Sequence, residues 1–464
     1  MLLQSLLRPV LTPLMRGMFD APIASSTEWS PLSLWPDGIA SPGMWISPRT
    51  LDSQWQDYTG ITPVVEPGTV ADSSNPVGLA LDIRAGATVL TDPGNHMLQS
   101  TSAARPLMSA RVNLLTYTED FSNGAWTTVN SSVVTNQATA PDGTSTADSL
   151  ADTAANDVHV CRSTTGITVA GETTVSVYAK RNTLDYAYVG VWDGSNYNGL
   201  VVDLTDGSVT ETNGTFVSDV ADAGNGWYRV SIAKSLSVGT YLAIGPCNTA
   251  TPGFTGSGGR PAYTGDGSSI YIWGAQLELG STATPYQSVP GDGSTYATDF
   301  PIYQKYDGTD DGMATATFSA GTLTSAMDCM IPVRRDSAAK GVLLTNGTGT
   351  PASYVGAFES GNGGVASNGV GASFTTWVDS VQVGAGAATT QGDLYTALPV
   401  GDWHIVEFRG LDLSAWTSAA FSSYTGVLFN GARGDIMLYP STDPTEDKDA
   451  ARQWLADYYG VTLP

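Results

Sequence analysis

The stretch Thr174-Val175-Ser176-Val177-Tyr178-Ala179 places Val175, Val177 and Ala179 on one parity. Successive side chains of a strand point to opposite faces, so this pattern predicts a strand with one face turned to a core. The same period recurs outward along the chain. Tyr228, Val230 and Ile232 alternate with Trp227, Arg229 and Ser231, and Ser269-Ile270-Tyr271-Ile272-Trp273 repeats the pattern. Trp403-His404-Ile405-Val406-Glu407-Phe408-Arg409 reads as another strand. Between such runs lie turn dipeptides: Asp142-Gly143, Asp193-Gly194, Asp206-Gly207, Asn225-Gly226 and Asp266-Gly267. They supply the positive φ that tight hairpins demand. Many short strands at this spacing predict an all-β chain of sandwiches or jelly rolls.

A chain of 464 residues is long enough for two or three domains. Only 14% of residues are charged, against about 25% in ordinary globular proteins. Acidic residues number 44 and basic ones 20, a net charge of -24. Such a surface repels phosphate backbones and anionic lipid, so neither a nucleic-acid partner nor membrane insertion is expected. Cys161, Cys247 and Cys329 have neither disulfide-framework nor zinc-site spacing and read as buried small residues, with pairing of the two in the middle of the chain the alternative.

One helix is expected, at the C-terminus. Asp443 would cap it, with Pro444 and Glu446 in the first turn, an apolar stripe of Ala451, Leu455 and Tyr458, and a stop at Gly460. Its expected role is to cover an open end of a sandwich. At the other terminus Leu3, Leu6, Leu7, Val10, Leu11 and Leu14 recur at helical spacing, broken by Pro9 and Pro13. Without a basic start before an apolar block, 1-30 does not fit a secretory signal. It reads either as an anchoring segment that docks on a partner chain or as a peptide packed on its own domain.

Two blocks resemble modules of bacteriophage and prophage virion proteins. The first runs from Asn113-Leu114-Leu115-Thr116-Tyr117 and Ala125-Trp126-Thr127 through Ala140-Pro141-Asp142-Gly143-Thr144. It continues with Val175-Ser176-Val177-Tyr178-Ala179-Lys180 and Gly226-Trp227-Tyr228-Arg229-Val230. It closes at Trp273-Gly274-Ala275-Gln276-Leu277-Glu278 and Ala283-Thr284-Pro285-Tyr286. This ordered set resembles a carbohydrate-binding-type jelly roll.

The second block resembles a concanavalin/laminin-G-like sandwich and comes in two pieces. Pro42-Gly43-Met44-Trp45, Gln54-Trp55-Gln56-Asp57 and Gly94-Asn95-His96 lie before the first block. The Asp-Gly-x-Asp-Asp turn, here Asp307 to Asp311, and the closing helix lie after it. The resemblance therefore implies two β-sandwiches, one split by insertion of the other. The split sandwich would occupy 31-110 plus 298-464, the inserted jelly roll 111-290, and a Gly/Ser-rich linker 287-300.

The candidate ligand site lies in the insert. Tyr186, Tyr188 and Trp192 share one parity, and Ala187, Val189 and Val191 the other. If the valines face the core, the aromatics form an exposed row with Tyr197 nearby. Sugar rings stack on such rows, and Asp193, Asn196 and Asn198 would hydrogen-bond hydroxyls. Burial on both faces, or contact with a neighbouring subunit, are the competing readings. Asp307, Asp310 and Asp311 offer oxygen ligands dense enough for calcium, but Phe318 stands where a calcium loop needs a bidentate Glu, and a polar β-turn is the better reading. No other cofactor is expected. Arg433-Gly434-Asp435 is an adhesion tripeptide of a kind that chance supplies.

There is no Gly-x-Ser-x-Gly elbow, phosphate loop or histidine metal motif, so the chain reads as a non-enzyme. The expected function is that of a virion structural protein on the particle exterior: a tail fibre or receptor-binding component touching host surface glycan. A head decoration or tail protein without a ligand is the alternative, and a glycan depolymerase the third reading. Partners would be other virion proteins through 1-30 and further copies of the chain, with a trimer expected by analogy with fibres.

Overall fold

The computed structural model describes residues 30–464, except 86–93, 165, 170, 238, 319–321, 348–351, 386, 387, 443 and 444. The anchoring segment, with Leu3, Leu6, Leu7, Val10, Leu11 and Leu14, lies outside the described residues, as do Asp443 and Pro444. The fold is almost entirely β, in paired sheets, with a helix at Thr445–Tyr459.

Two six-stranded sheets form the central sandwich. One carries Tyr186–Trp192 between Tyr197–Asp203 and Leu242–Cys247, then Val160–Ser163 and Trp126–Val129. The other carries Gly171–Arg181 between Trp227–Leu236 and Ser269–Leu279. Val175, Val177 and Ala179 meet Ala187, Val189, Val191, Val230 and Ile232 in one core, as the alternation requires.

The second sandwich is assembled from both sides of this insert. Leu107–Ser109 pairs with Tyr303–Asp307 in register Met108↔Gln304, and Met97–Leu98 pairs with Met313–Thr315. Met44–Ile46 pairs with Ile436–Pro440 through Met44↔Leu438. Its two sheets have nine and seven strands. Met44, Ile46, Ile331, Val333, Phe408 and Leu438 are among the residues filling the space between them. One sandwich is thus threaded into the chain of another.

The two ends of the insert are clasped together. Gln287 Oε1 accepts the Val112 and Asn113 amides at 2.7 and 3.0 Å, while Asn113 Nδ2 donates to the Ala275 and Gln287 carbonyls. The segment read as a linker is therefore a fixed junction. Its Gly/Ser/Asp content suggests a loose tether, but Val289 and Tyr296 are buried against Ala110, and the Tyr296 hydroxyl donates to Asp72 at 2.7 Å.

The C-terminal helix does not plug an end of a sandwich. Ala451, Leu455, Ala456 and Tyr459 pack on Trp45, Met330, Ile405, Met437 and Tyr439, whose parity is opposite to that of the inter-sheet core. The helix therefore roofs the outer face of the nine-stranded sheet, and Met327–Arg335 is buried at every residue. A second, shorter helix, Gln391–Ala397, was not expected; its Thr390/Asp393 capping box is visible in the sequence only in retrospect. Cys161, Cys247 and Cys329 are buried and unpaired. Among the described residues no helix is long and apolar enough to cross a membrane.

Candidate functional site

The strand Tyr186–Trp192 divides its side chains as alternation dictates. Ala187, Val189 and Val191 enter the inter-sheet core. Tyr186, Tyr188 and Trp192 lie on the opposite face, with Tyr197, Val201 and Ala243. That face is not open along its length. Phe254, from the irregular chain after Cys247, and Ala262, which opens the short strand Ala262–Thr264, pack over it and create a second apolar layer.

The aromatic row is consequently broken. Tyr188 is 1% exposed and stacks edge-on with Phe254 at 6.2 Å. Its ring lies over Gly190 and Gly199, a cross-strand pair whose missing side chains leave the room it occupies. Its hydroxyl is buried without a hydrogen-bond partner, and burial pushes the phenol pKa up. Tyr186 is half-buried at the far end of the strand, opposite Cys247. Neither can serve as an exposed stacking platform.

Trp192 is different. It pairs with Tyr197 across the hairpin end, with ring centroids 5.1 Å apart. Together they line an open cleft of about 530 Å³. Tyr241 lines it from the neighbouring strand connection, held because its carbonyl accepts the Trp192 amide at 3.1 Å. The remaining wall is the turn Gly256-Ser257-Gly258-Gly259-Arg260. Gly258 has φ +70°, and a Cβ there would sit 3.3 Å from Tyr197 and 3.4 Å from Trp192. Only glycine lets this backbone lie so close to both rings without strain.

The expected polar partners separate in the same way. Asp193 Oδ1 accepts the Ser195 and Asn196 amides, and Oδ2 accepts Asn198 Nδ2 at 2.7 Å. Burial acts to raise the Asp193 pKa, but the hydrogen bonds from Asn196, Asn198 and Ser195 and the Lys234 charge outweigh it and hold the carboxyl low. Asp193 and Asn198 therefore build the hairpin and are not free for a ligand. Asn196 is exposed and lines the cleft, as do Ser195 and Ser257.

Two arginines complete the cleft. The Arg260 guanidinium sits 4.7 Å from the Tyr197 ring centroid, and that of Arg162 lies 4.9 Å from Tyr241. Neither was anticipated, and neither could be read from spacing. Arg162 arrives on Val160–Ser163, two strands away from Tyr186–Trp192 in the sheet. The cleft thus offers apolar ring surface, hydroxyls, an amide and two cations.

The acidic cluster behaves as a turn. Ligand atoms of Asp307, Asp310 and Asp311 lie within 4.8 Å of one another. Asp307 Oδ1 caps the Thr309 and Asp310 amides, and Asp311 Oδ2 accepts the Asp307 amide at 3.0 Å. Burial raises the Asp311 pKa to about 7; the amide of Asp307 opposes this, and the charges of Asp307 and Asp310 add to it. The Arg433-Gly434-Asp435 tripeptide cannot meet a receptor, because Arg433 and Asp435 are fully buried.

No protein-family model matches the chain, and no curated protein resembles it in sequence. Among solved structures it is distantly similar to the N-terminal tandem of carbohydrate-binding modules CBM22-1 and CBM22-2 of Xyn10C from Paenibacillus barcinonensis. The identity is 10% and the TM-score 0.22, over 71% of this chain and 98% of that one.

Proposed function

We propose that this chain is a virion surface protein that attaches to host glycan through the cleft of its inserted sandwich. The observation that carries the glycan reading is the convergence of Trp192, Tyr197 and Tyr241 with Ser195, Asn196 and Ser257 around one open cleft. Flat apolar rings bordered by hydroxyls and an amide match the alternating C–H faces and hydroxyl edges of a sugar. The virion reading rests on the ordered motifs between Asn113 and Tyr286 and on the flanking split block. In this reading 111-290 is the binding module, 31-110 with 298-464 its carrier, and 1-30 the contact with other virion proteins. A homotrimer on the particle exterior would multiply a weak single-site affinity.

A glycan array probed with the full chain and with Trp192→Ala tests the binding role. Loss of one stacking ring is expected to weaken binding about tenfold, equivalent to ~1.4 kcal/mol. A folded Trp192→Ala protein with an unchanged array profile would remove the cleft from the account. The virion role is tested separately: deleting 1-20 should leave a folded protein that no longer enters particles.

A further inference from the structure

The charge inside the cleft is opposite to the charge of the protein. Acidic residues outnumber basic ones by 44 to 20. Yet the cleft lining contains Arg162 and Arg260 and no carboxylate. The nearest acid in sequence, Asp193, is already engaged by the Ser195 and Asn196 amides and by Asn198, with Lys234 Nζ 4.0 Å away.

Arg260 is 9% exposed. Its Nε donates to the Ser257 carbonyl at 2.8 Å, and its guanidinium rests against the Tyr197 ring. No described residue accepts a hydrogen bond from its two Nη groups, and no carboxylate pairs with it. Arg162 spends one nitrogen on the Ser163 carbonyl at 3.1 Å and likewise has no acidic partner among the described residues. The Arg260 stem is packed while its Nη groups face the open cleft without a protein acceptor, free to take an oxyanion from outside. Both guanidinium planes are fixed against aromatic rings, which fits them to meet planar or tetrahedral oxyanions.

Resting on the glycan reading above, we propose that the cleft selects an anionic sugar, one bearing a carboxylate, sulfate or phosphate, over its neutral equivalent. The sugar ring stacks on Trp192 or Tyr241 while its anionic group bridges Arg162 and Arg260. In a protein of net charge -24 this local reversal also acts as a filter. Polyanions without a stacking ring are repelled by the surrounding surface, and neutral sugars leave the guanidinium groups unpaired.

The test titrates the full chain with trigalacturonate, with its neutral methyl ester, and with a sulfated galactose trisaccharide. At least one acidic trisaccharide is expected to bind tenfold or more tighter than the methyl ester, and to weaken severalfold as salt rises from about 20 to about 200 mM. Binding by the carboxylate alone, or by both acids, distinguishes the anion source. Arg162→Gln, on a half-buried side chain, should reduce the acid-to-neutral ratio to within about threefold. Arg260→Gln should do the same, and Arg162→Gln keeps the test valid if that variant folds poorly. Equal binding of the acids and the ester by wild type would overturn the anion preference yet leave the glycan role intact. If none of these three sugars binds and a broad array is also blank, the glycan role itself fails.

Discussion

Removing the Asp435 carboxylate should loosen one side of the split sandwich without touching the insert. Asp435 is fully buried and accepts Trp45 Nε1–H at 2.9 Å and the Tyr459 hydroxyl at 3.1 Å, with Arg49 Nε also 3.1 Å away. It therefore ties three segments to one point: the strand before the insert, the strand Ile436–Pro440 and the C-terminal helix. Asp435→Ala leaves two neutral donors and one largely buried guanidinium without their acceptor. Breaking a buried ion pair typically costs about 3–5 kcal/mol, and each lost bond to a charged acceptor about 1.5–3 kcal/mol. These overlap, since Arg49 keeps its stacking on Trp454 at 3.5 Å. A net loss of about 4 kcal/mol is expected, with Asp435→Asn about half as costly because one acceptor oxygen remains. Hydrogen exchange read by mass spectrometry is the assay, because it reports the stability of each segment on its own. Protection should fall in peptides covering Met44–Ile46, Ile436–Pro440 and Thr445–Tyr459, and stay constant in Gly171–Arg181. A stability loss under about 1 kcal/mol, or equal loss in the insert, would refute this reasoning.

Three further outcomes follow from the same geometry. Asp311 has its pKa raised from 3.8 to about 7, so ionising it destabilises the folded state. That contribution is absent below pH 4 and complete above pH 7, so Asp311→Asn should match wild type at pH 4 and exceed it at pH 8, by at most about 4 kcal/mol; identical denaturant midpoints at pH 8 would contradict the burial argument. Tyr188→Phe removes a buried hydroxyl that has no partner. Its melting temperature should be unchanged or higher, whereas a loss above about 1 kcal/mol would mean that the hydroxyl is satisfied. Leu455→Ala, at a fully buried helix position, should cost about 2–5 kcal/mol in thermal unfolding of the split sandwich; a negligible effect would mean that the helix is not a roof on the sheet.

The sandwiches were legible because strand parity is a local signal. Val175 and Val177, or Val189 and Val191, announce a core face without knowledge of their partners. The junction was legible only in pieces: Asn113 and Gln276 belong to the quoted motifs and turn out to hydrogen-bond with Gln287, but the Gly/Ser content of 287-300 read as a tether and hid the clasp. The candidate site was legible only in part. Parity put Tyr188 and Trp192 on the correct face, but it could not reveal that the aperiodic chain carrying Phe254 would cover Tyr188 and stop short of Trp192. Arg162, Tyr241 and Arg260 come from separate segments that the sheet order brings together, and no spacing rule links them. The helix was placed wrongly because its stripe was matched to an open end. The apolar run Met327–Arg335, buried on both faces, was the signal that a further layer was needed.

The central claim is that a sugar occupies the cleft between Trp192, Tyr197 and Tyr241. Diffraction from crystals grown with the tightest-binding glycan tests it most directly. The account predicts density for a sugar ring stacked on Trp192 or Tyr241, with an anionic group between Arg162 and Arg260. Well-defined sugar density elsewhere on the molecule, with this cleft filled only by solvent, would contradict it.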